Sequence, residues 1–348
     1  MYIILGASFL LSIFSFFNLL GINSNYAYAQ LGFMFFAILV YIFAKVLGIG
    51  FFKKNYKFFY WLFIFLLLLV FLIGDEVRGS KRWIDFYFLN FQPSEFLKII
   101  FIIFISKFIS LNEDNLEKRN IYFSSLIYLL IPFIIVYKQP DLGNALVYIT
   151  IFFSITLFSK IPKKFIFNTF LVLLITLPLL WTLLKDYQKN RIISFIVKTE
   201  NVTESNYNLV QSIISVGSGK FLGRGLGYGT QSKLAFLPEN HTDFAYSALT
   251  EQFGFVGSFT ILFLFLLICI ELLKLIMKLS SNPTLSNRFY LYYSIGFLSY
   301  FTFQVFVNIA MNLGSFPIAG VALPIISYGG SSLSTYILGI ALLPFDKV

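Results

Sequence analysis

Charge is what this 348-residue chain has least of: Asp, Glu, Lys and Arg make up 12% of it, against about 25% in a soluble globular protein. It has one cysteine, Cys269, and one histidine, His241. The first excludes disulfide scaffolds and paired-cysteine metal sites, and the second excludes multi-histidine metal centres. Acidic residues are fewer than basic ones, 16 against 26, for a net charge of +10. A basic leader region and a small-residue cleavage site are also missing, so the apolar segment after Met1 is expected to stay. No internal repeat stands out, which weighs against a transporter of inverted halves. What fills the chain is apolar: 58% hydrophobic residues, 46 Phe among them, and a mean hydropathy of +0.82. A soluble interior could not hide that surface. The chain reads as an all-α polytopic membrane protein, and its continuous, non-alternating apolar runs weigh against a transmembrane β-barrel.

A spanning helix needs about 20 apolar residues. Runs between polar breaks predict ten, at roughly 2–22, 31–51, 57–74, 95–110, 121–137, 142–159, 164–184, 244–273, 289–312 and 318–343. They form a single domain, 1–348, with one large loop at 185–243. An even number of spans puts both termini on one side. Short loops there carry Lys53, Lys54 and Lys57, then Lys118 and Arg119, then Lys160, Lys163 and Lys164, then Lys274, Lys278 and Arg288. The positive-inside rule makes that side cytoplasmic, so the large loop is extracytoplasmic. Within the loop, Ile192, Ile193, Phe195 and Ile196, and then Tyr207, Val210, Ile213 and Ile214, have the spacing of short amphipathic surface helices. Arg78, Lys81 and Arg82 defy the charge rule on the outer side, and Lys98 lies just inside the next helix.

Four polar segments punctuated by Gly or Pro fall on the outer face: RGSKRWIDFYFLNFQPSEFLK (78–98), KQPDLGNA (138–145), GRGLGYGTQSKLAFLPENHTDF (223–244) and FPIAGVALPIISYGGSS (316–332). Their convergence points to one extracytoplasmic site. Asp243 has two readings, a helix N-cap before the apolar run or a desolvated general base. Arg78, Lys81, Arg82 and Lys98 suit a polyanionic head group such as a pyrophosphate, or else anionic lipid and neighbouring carboxylates. Glu95 and Lys98 are spaced for an i,i+3 pair. Trp83 reads equally as an interfacial anchor or a substrate contact, and Asp141 reads as a cap behind Pro140. Gln304, Asn308 and Asn312 form one polar stripe, either helix glue or a cavity lining. The glycines of 217–229 are not a phosphate-binding loop of the nucleotide type, because Lys220 is followed by Phe221 and no strand precedes it. A lone His241 makes a poor metal ligand.

GSKRWI and QPSEFLK, then QPDLGNA, then LPENHTDF with EQFG, then VNIAMNLGSFPIAGVALPIISYGGSS occur in one order over nearly the whole chain. In that series the chain resembles the SEDS family (shape, elongation, division and sporulation), ten-span glycosyltransferases that polymerise lipid II. GTQSKLAFLPENHTDF and Met311 look closer to the elongation members than to the division members. The resemblance implies that the 4-hydroxyl of lipid II attacks the anomeric carbon of an undecaprenyl-pyrophosphate-linked glycan, with inversion to a β-1,4 link and release of pyrophosphate. It makes Asp243 the catalytic aspartate, and matches Arg82, Trp83, Gln92, Glu95 and Lys98 to the outer motif, beside Lys81 and Asp141. Ser327 to Ser332, with Ser331, match the last, cavity-shaping motif. Implied partners are a class B penicillin-binding protein and membrane proteins of the elongation complex, with no nucleic acid. No cofactor is fixed, and a divalent cation, Mg or Mn, is left open. A lipid II flippase, the septal member of the family and a transpeptidase scaffold are the competing readings. The chain departs from the family at Gln252, where a second glutamate is usual, at Lys220, and at 197–206. A Thr203→Cys variant in a Cys269→Ala background should react with an impermeant maleimide added outside intact cells. Labelling only from the cytoplasm would overturn the topology.

Overall fold

The computed structural model describes residues 1–77, 80–86, 90–115, 119–183, 189, 193, 204–281 and 285–347. Arg78, Lys118, Ile192, Phe195 and Ile196, singled out above, lie outside them. The helices are α1 (Tyr2–Ile22), α2 (Ser24–Lys54), α3 (Tyr56–Ile73), α4 (Pro93–Leu111), α5 (Arg119–Lys138), α6 (Leu142–Leu157), α7 (Lys163–Leu183), α8 (Glu204–Ser218), α9 (Thr230–Lys233), α10 (Ala245–Ser281), α11 (Leu285–Asn312) and α12 (Gly330–Ala341). Among the described residues six are long and apolar enough to cross a membrane: α1, α2, α3, α5, α10 and, over Asn287–Asn312, α11.

Local chemistry sets the boundaries. Asn23, extended and accepting from the Asn25 amide at 2.9 Å, ends α1 and caps α2. Pro93 opens α4, where its missing N–H costs nothing. Pro132 and Pro178 lie inside α5 and α7. The helix α4 is the axis of the bundle, buried without interruption from Pro93 to Ser106, with α3, α6, α11 and α12 around it. By contrast α7 sits at the rim and exposes Phe167, Phe170, Val172 and Ile175, with Tyr122 donating to Thr169 at 2.8 Å to hold it to α5.

One expectation is corrected. The last apolar run does not form a helix over 318–343: 318–329 is irregular and α12 starts only at Gly330. Pro317 and Pro324 interrupt the helical ladder, and Gly314, Gly320 and Gly329 take positive φ, so the run is apolar without being helical. The all-α fold also carries one short element of sheet. Between α3 and α4 the chain forms a small antiparallel sheet in the order β1–β2–β3, with β1 at Asp75–Val77, β2 at Ser80–Asp85 and β3 at Asn90–Phe91. Trp83 pairs with Asp75, and Ile84 with Phe91.

At one end of the bundle, Glu113 joins three connections. Its carboxylate meets Arg288 at the start of α11, Lys160 before α7 at 3.9 Å, and the Tyr292 hydroxyl at 3.4 Å. The opposite end holds the starts of α4, α6, α10 and α12 together with the sheet.

At that opposite end α10 is broken. Gly254, at φ 66° and ψ −163°, has a backbone conformation available in practice only to glycine. The break frees carbonyls before it and amides after it, and the segment 220–225 pairs with both. Arg224 and Gly225 donate to the Glu251 and Gln252 carbonyls at 2.9 and 3.0 Å. Phe255 and Val256 donate to the Lys220 and Phe221 carbonyls at 2.9 and 3.2 Å. A Cβ at Gly254 would stand 2.2 Å from the Gly223 amide nitrogen. Gly254→Ala should therefore lower stability by about 2 kcal/mol or more, read as a lower thermal midpoint in detergent. Gly50→Ala, with no atom within 4 Å of its Cβ, should not lower it.

Candidate functional site

The site is built on the end where the helix starts converge. Strand β2 holds Arg82 over the corner between α5 and α6. Its Nε donates to the Gln139 carbonyl at 3.1 Å, its Nη2 donates to the Pro140 carbonyl, and its Nη1 stands 3.8 Å from Asp141 Oδ2. Asp141 is buried and caps α6, accepting from the Asn144 amide at 3.3 Å, while its Oδ2 takes Asn144 Nδ2 at 2.8 Å and Gln92 Nε2 at 3.3 Å. The cap expected of Asp141 is thus present, with Arg82 added to it. The Gln92 amide donates to Ser331 Oγ at 3.0 Å, and Ser331 donates to the Asn90 carbonyl at 2.7 Å, so the start of α12 is tied to the start of α4. Trp83 lies 5.9 Å from the Arg82 guanidinium carbon. Alternation along β2 sends Lys81 to the face opposite Arg82.

One turn into α4, Lys98 donates to Glu95 at 2.6 Å, the i,i+3 pair the spacing predicts. Lys98 is wholly buried, with the Tyr300 ring 5.6 Å from its nitrogen. Nearby the Tyr148 hydroxyl donates to the Ser94 carbonyl at 2.7 Å. Glu95 Oε2 and both polar atoms of the fully buried Gln304 have no hydrogen-bond partner among the described residues. An apolar core does not leave such groups dry, so water is the physical occupant expected beside them.

Asp243 sits half-buried, and α10 starts at Ala245, so Phe244 occupies the flanking position where a cap would stand. Its carbonyl accepts from Asn308 Nδ2 and Asn312 Nδ2, each at 3.0 Å. Asn308 also donates to the Val321 carbonyl at 2.7 Å, and Asn312 Oδ1 accepts from the Ser247 amide and hydroxyl at 3.0 and 2.6 Å. Two members of the polar stripe are therefore glue around Asp243. Ser327 donates to the Thr242 carbonyl at 2.7 Å, and the Tyr328 amide donates to the His241 carbonyl at 2.8 Å. The His241 ring stacks on Tyr26 at 4.3 Å, packing as an aromatic.

The irregular segment 319–321 lies between the two groups of residues. A Cβ at Gly143, beside Asp141, would meet the Ala319 carbonyl oxygen at 2.2 Å, and one at Gly320 would come 3.9 Å from Asp243 Oδ2. Arg82, Asp141, Gln92 and Ser331 are thus brought together, with Asp243 across that segment. Lys98 and Glu95 lie beneath, paired with each other, and Lys81 stands on the far face of its strand. Among the described residues no group of three or more His, Cys, Asp or Glu could cage a metal.

Gln30 and Asn18 went unnoticed in the sequence, each a lone polar residue in an apolar run. Gln30 accepts from the Gly329 amide at 3.3 Å and is itself buried in α2. Asn18 accepts Gln252 Nε2 at its carbonyl, 3.0 Å, and at its Oδ1, 2.9 Å, and donates to the Ala245 carbonyl at 3.2 Å. The departure at 252 has its reason here, since a glutamate carboxylate could not donate to Asn18.

Comparison with known proteins agrees with this architecture. The profile of the FtsW, RodA and SpoVE cell cycle proteins matches residues 1–345. A probable peptidoglycan glycosyltransferase FtsW of Wigglesworthia glossinidia brevipalpis is 33% identical over 324 residues, covering 92% of this chain and 84% of its own. The peptidoglycan glycosyltransferase MrdB of Helicobacter pylori is 33% identical over 339 residues, covering 96% and 84%. A solved peptidoglycan synthase complex that coordinates polymerisation and crosslinking contains a chain with a TM-score of 0.83 at 25% identity, covering 99% of this chain and 96% of its own. The rod shape determining protein RodA of Thermus thermophilus shares the fold, with a TM-score of 0.71 at 24% identity over 98% of this chain and 94% of its own. The chain belongs to the SEDS family of multi-pass membrane proteins, and it is a peptidoglycan glycosyltransferase. Asn312→Ala, which removes contacts to Asp243, Asn308 and Ser247 together, should destabilise the protein by about 2–4 kcal/mol. Thermal unfolding in detergent measures it.

Proposed function

We propose that the chain polymerises lipid II into β-1,4 glycan strands on the outer face of the bacterial cytoplasmic membrane, with Asp243 as general base. The chain then crosses the membrane ten times with both termini in the cytoplasm. The observation that carries the reading is the mounting of Asp243. Its backbone is fixed by two asparagines, while its half-buried carboxylate stands beside a glycine-lined segment opposite Arg82 and Asp141. The grip on the carbonyl sets the origin of the side chain.

In this scheme the glycan donor and lipid II lie with their sugars at the site end and their undecaprenyl chains in lipid. Asp243 takes the proton of the acceptor 4-hydroxyl as that oxygen attacks the donor's anomeric carbon. The bond from that carbon to the pyrophosphate oxygen breaks on the opposite side, so the configuration inverts. The departing undecaprenyl pyrophosphate carries away the bonding electron pair. The positive ends of α4, α6, α10 and α12 face this region, and Arg82 adds a fixed guanidinium beside Trp83. Lys81 supplies a further charge from the other face of the strand. Lys98 and Glu95, with Gln92 and Ser331 above them, hold the polar wall as a neutral buried pair.

A role in elongation rather than division is favoured by the segment GTQSKLAFLPENHTDF and by Met311; the relatives carry names of both kinds. The likeness to a chain of a polymerising and crosslinking complex supports a class B penicillin-binding protein as partner, within an elongation complex. Purified protein incubated with lipid II, alone and with that partner, tests the scheme. Asp243→Asn should lower polymer formation about 100-fold or more while the protein stays folded and still binds its partner. Full activity of this variant would overturn the general-base assignment.

A further inference from the structure

We propose that Glu251 is the positioning residue that presents Asp243 to the reacting sugar. The inference rests on the reading of Asp243 as the base and goes beyond it by assigning a second carboxylate that touches no substrate. Glu251 is fully buried two turns into α10, ahead of the break at Gly254. Among the described residues its donors are all uncharged. The Gln231 amide reaches Oε1 and the Ser232 amide reaches Oε2, both at 2.9 Å. The Ser215 hydroxyl reaches Oε2 at 3.3 Å, and those of Ser218 and Thr230 reach Oε1 at 3.5 Å. A buried carboxylate without a cation is expensive unless its oxygens are filled with donors, and here both are.

Those donors come from two elements that α10 alone could not fix. Ser215 and Ser218 lie on α8, and Gln231 and Ser232 lie in the single turn α9. From α9 the order passes along the chain to Asp243. Asn240 Nδ2 donates to the Ser232 carbonyl at 2.7 Å, and the Leu237 amide donates to the Gln231 carbonyl at 3.0 Å. The Thr242 and Phe244 amides both donate to the Glu239 carbonyl, at 3.1 and 3.0 Å. Glu251 therefore pins one end of the segment 230–243, and Asn308 and Asn312 pin the other. Asp243 stands at the junction, its segment returned onto the same helix from which Glu251 projects.

The cage discriminates by chemistry and by shape. An ionised carboxylate accepts at both oxygens, whereas a glutamine would turn an N–H₂ toward a backbone amide that can only donate. Gly229 supplies the shape: a Cβ there would lie 2.5 Å from Ser232 Oγ and 2.7 Å from Glu251 Oε2. Glu251→Gln from inside and Gly229→Ala from outside should thus disturb the same contact.

The test uses the full-length purified protein and lipid II. Each variant should lower the rate at saturating lipid II roughly tenfold or more, with the half-saturating concentration unchanged within about threefold, because a displaced base loses rate rather than binding. Hydrogen exchange should rise at Gln231 and Ser232 while peptides of α4 and α11 keep their protection. The double variant should be no slower than the slower single one, since the two act on one contact. A Glu251→Gln protein with full rate overturns the proposal, as does equal loss of protection in α4 and α11, which would mark a general loss of structure. Gly229→Ala keeps the question answerable should Glu251→Gln not fold. If Asp243→Asn abolishes polymer and both cage variants remain fast, this inference falls and the general base stands. If Asp243→Asn remains fast, both fall.

Discussion

Inside a bilayer a backbone N–H or C=O has no water to bond, so every departure from a helical ladder needs a protein group of the right polarity at that depth. This constraint explains how the breaks in the helical ladder are bonded among the described residues. The break at Gly254 is closed by the backbone of 220–225, with donors and acceptors exchanged in both directions. The irregular run before α12 is closed by side chains: Ser15 donates to the Ile326 carbonyl at 2.9 Å, Asn308 to that of Val321, and Gln30 accepts from Gly329. Where helices are broken, polar residues from other helices substitute for the missing ladder.

The same requirement places the chemistry. A helix start leaves unsatisfied amides and a positive dipole end, and four starts meet at one end of this bundle. Asp141 accepts from the Asn144 amide and Ser331 from the Gln92 amide, and with the Gln92 side chain they form the wall against which Arg82 is set. The end with the candidate site is where the backbone departs from regularity, and the opposite end, tied by Glu113, is held by charge. A membrane-embedded glycosyltransferase can use such a division, with regular helices in lipid and polar backbone at the water boundary.

Much of the helical framework was legible because an apolar run of sufficient length is itself a physical requirement. The Glu95–Lys98 couple was legible too, since i,i+3 spacing brings the two side chains together on any helix. Hydropathy could not show that 318–329 fails to be helical, because Ile318, Val321, Ile325 and Ile326 raise the average while Pro317, Gly320 and Pro324 set the geometry. The sheet at 75–91 was missed because its strands are too short for alternation to declare itself. Gln30 and Asn18 were invisible as site-builders: a single polar residue in an apolar run has no periodicity, and its partners lie on remote helices. The coupling of Arg82 to Asp141 needs the fold, since two loops must first be brought together.

The pairing of 220–225 with the broken helix also bears on how the protein is made. The segment precedes Gly254 in the chain, so it leaves the ribosome before the helix that it covers. The interrupted stretch of α10 is therefore synthesised after its complement, and the helix need never wait in lipid with the two carbonyls and two amides at its break bare. Had the order been reversed, the insertion machinery would have had to hold an open helix until its cover arrived. The position of this loop in the sequence, as much as its shape, makes a glycine break tolerable in a helix of this length.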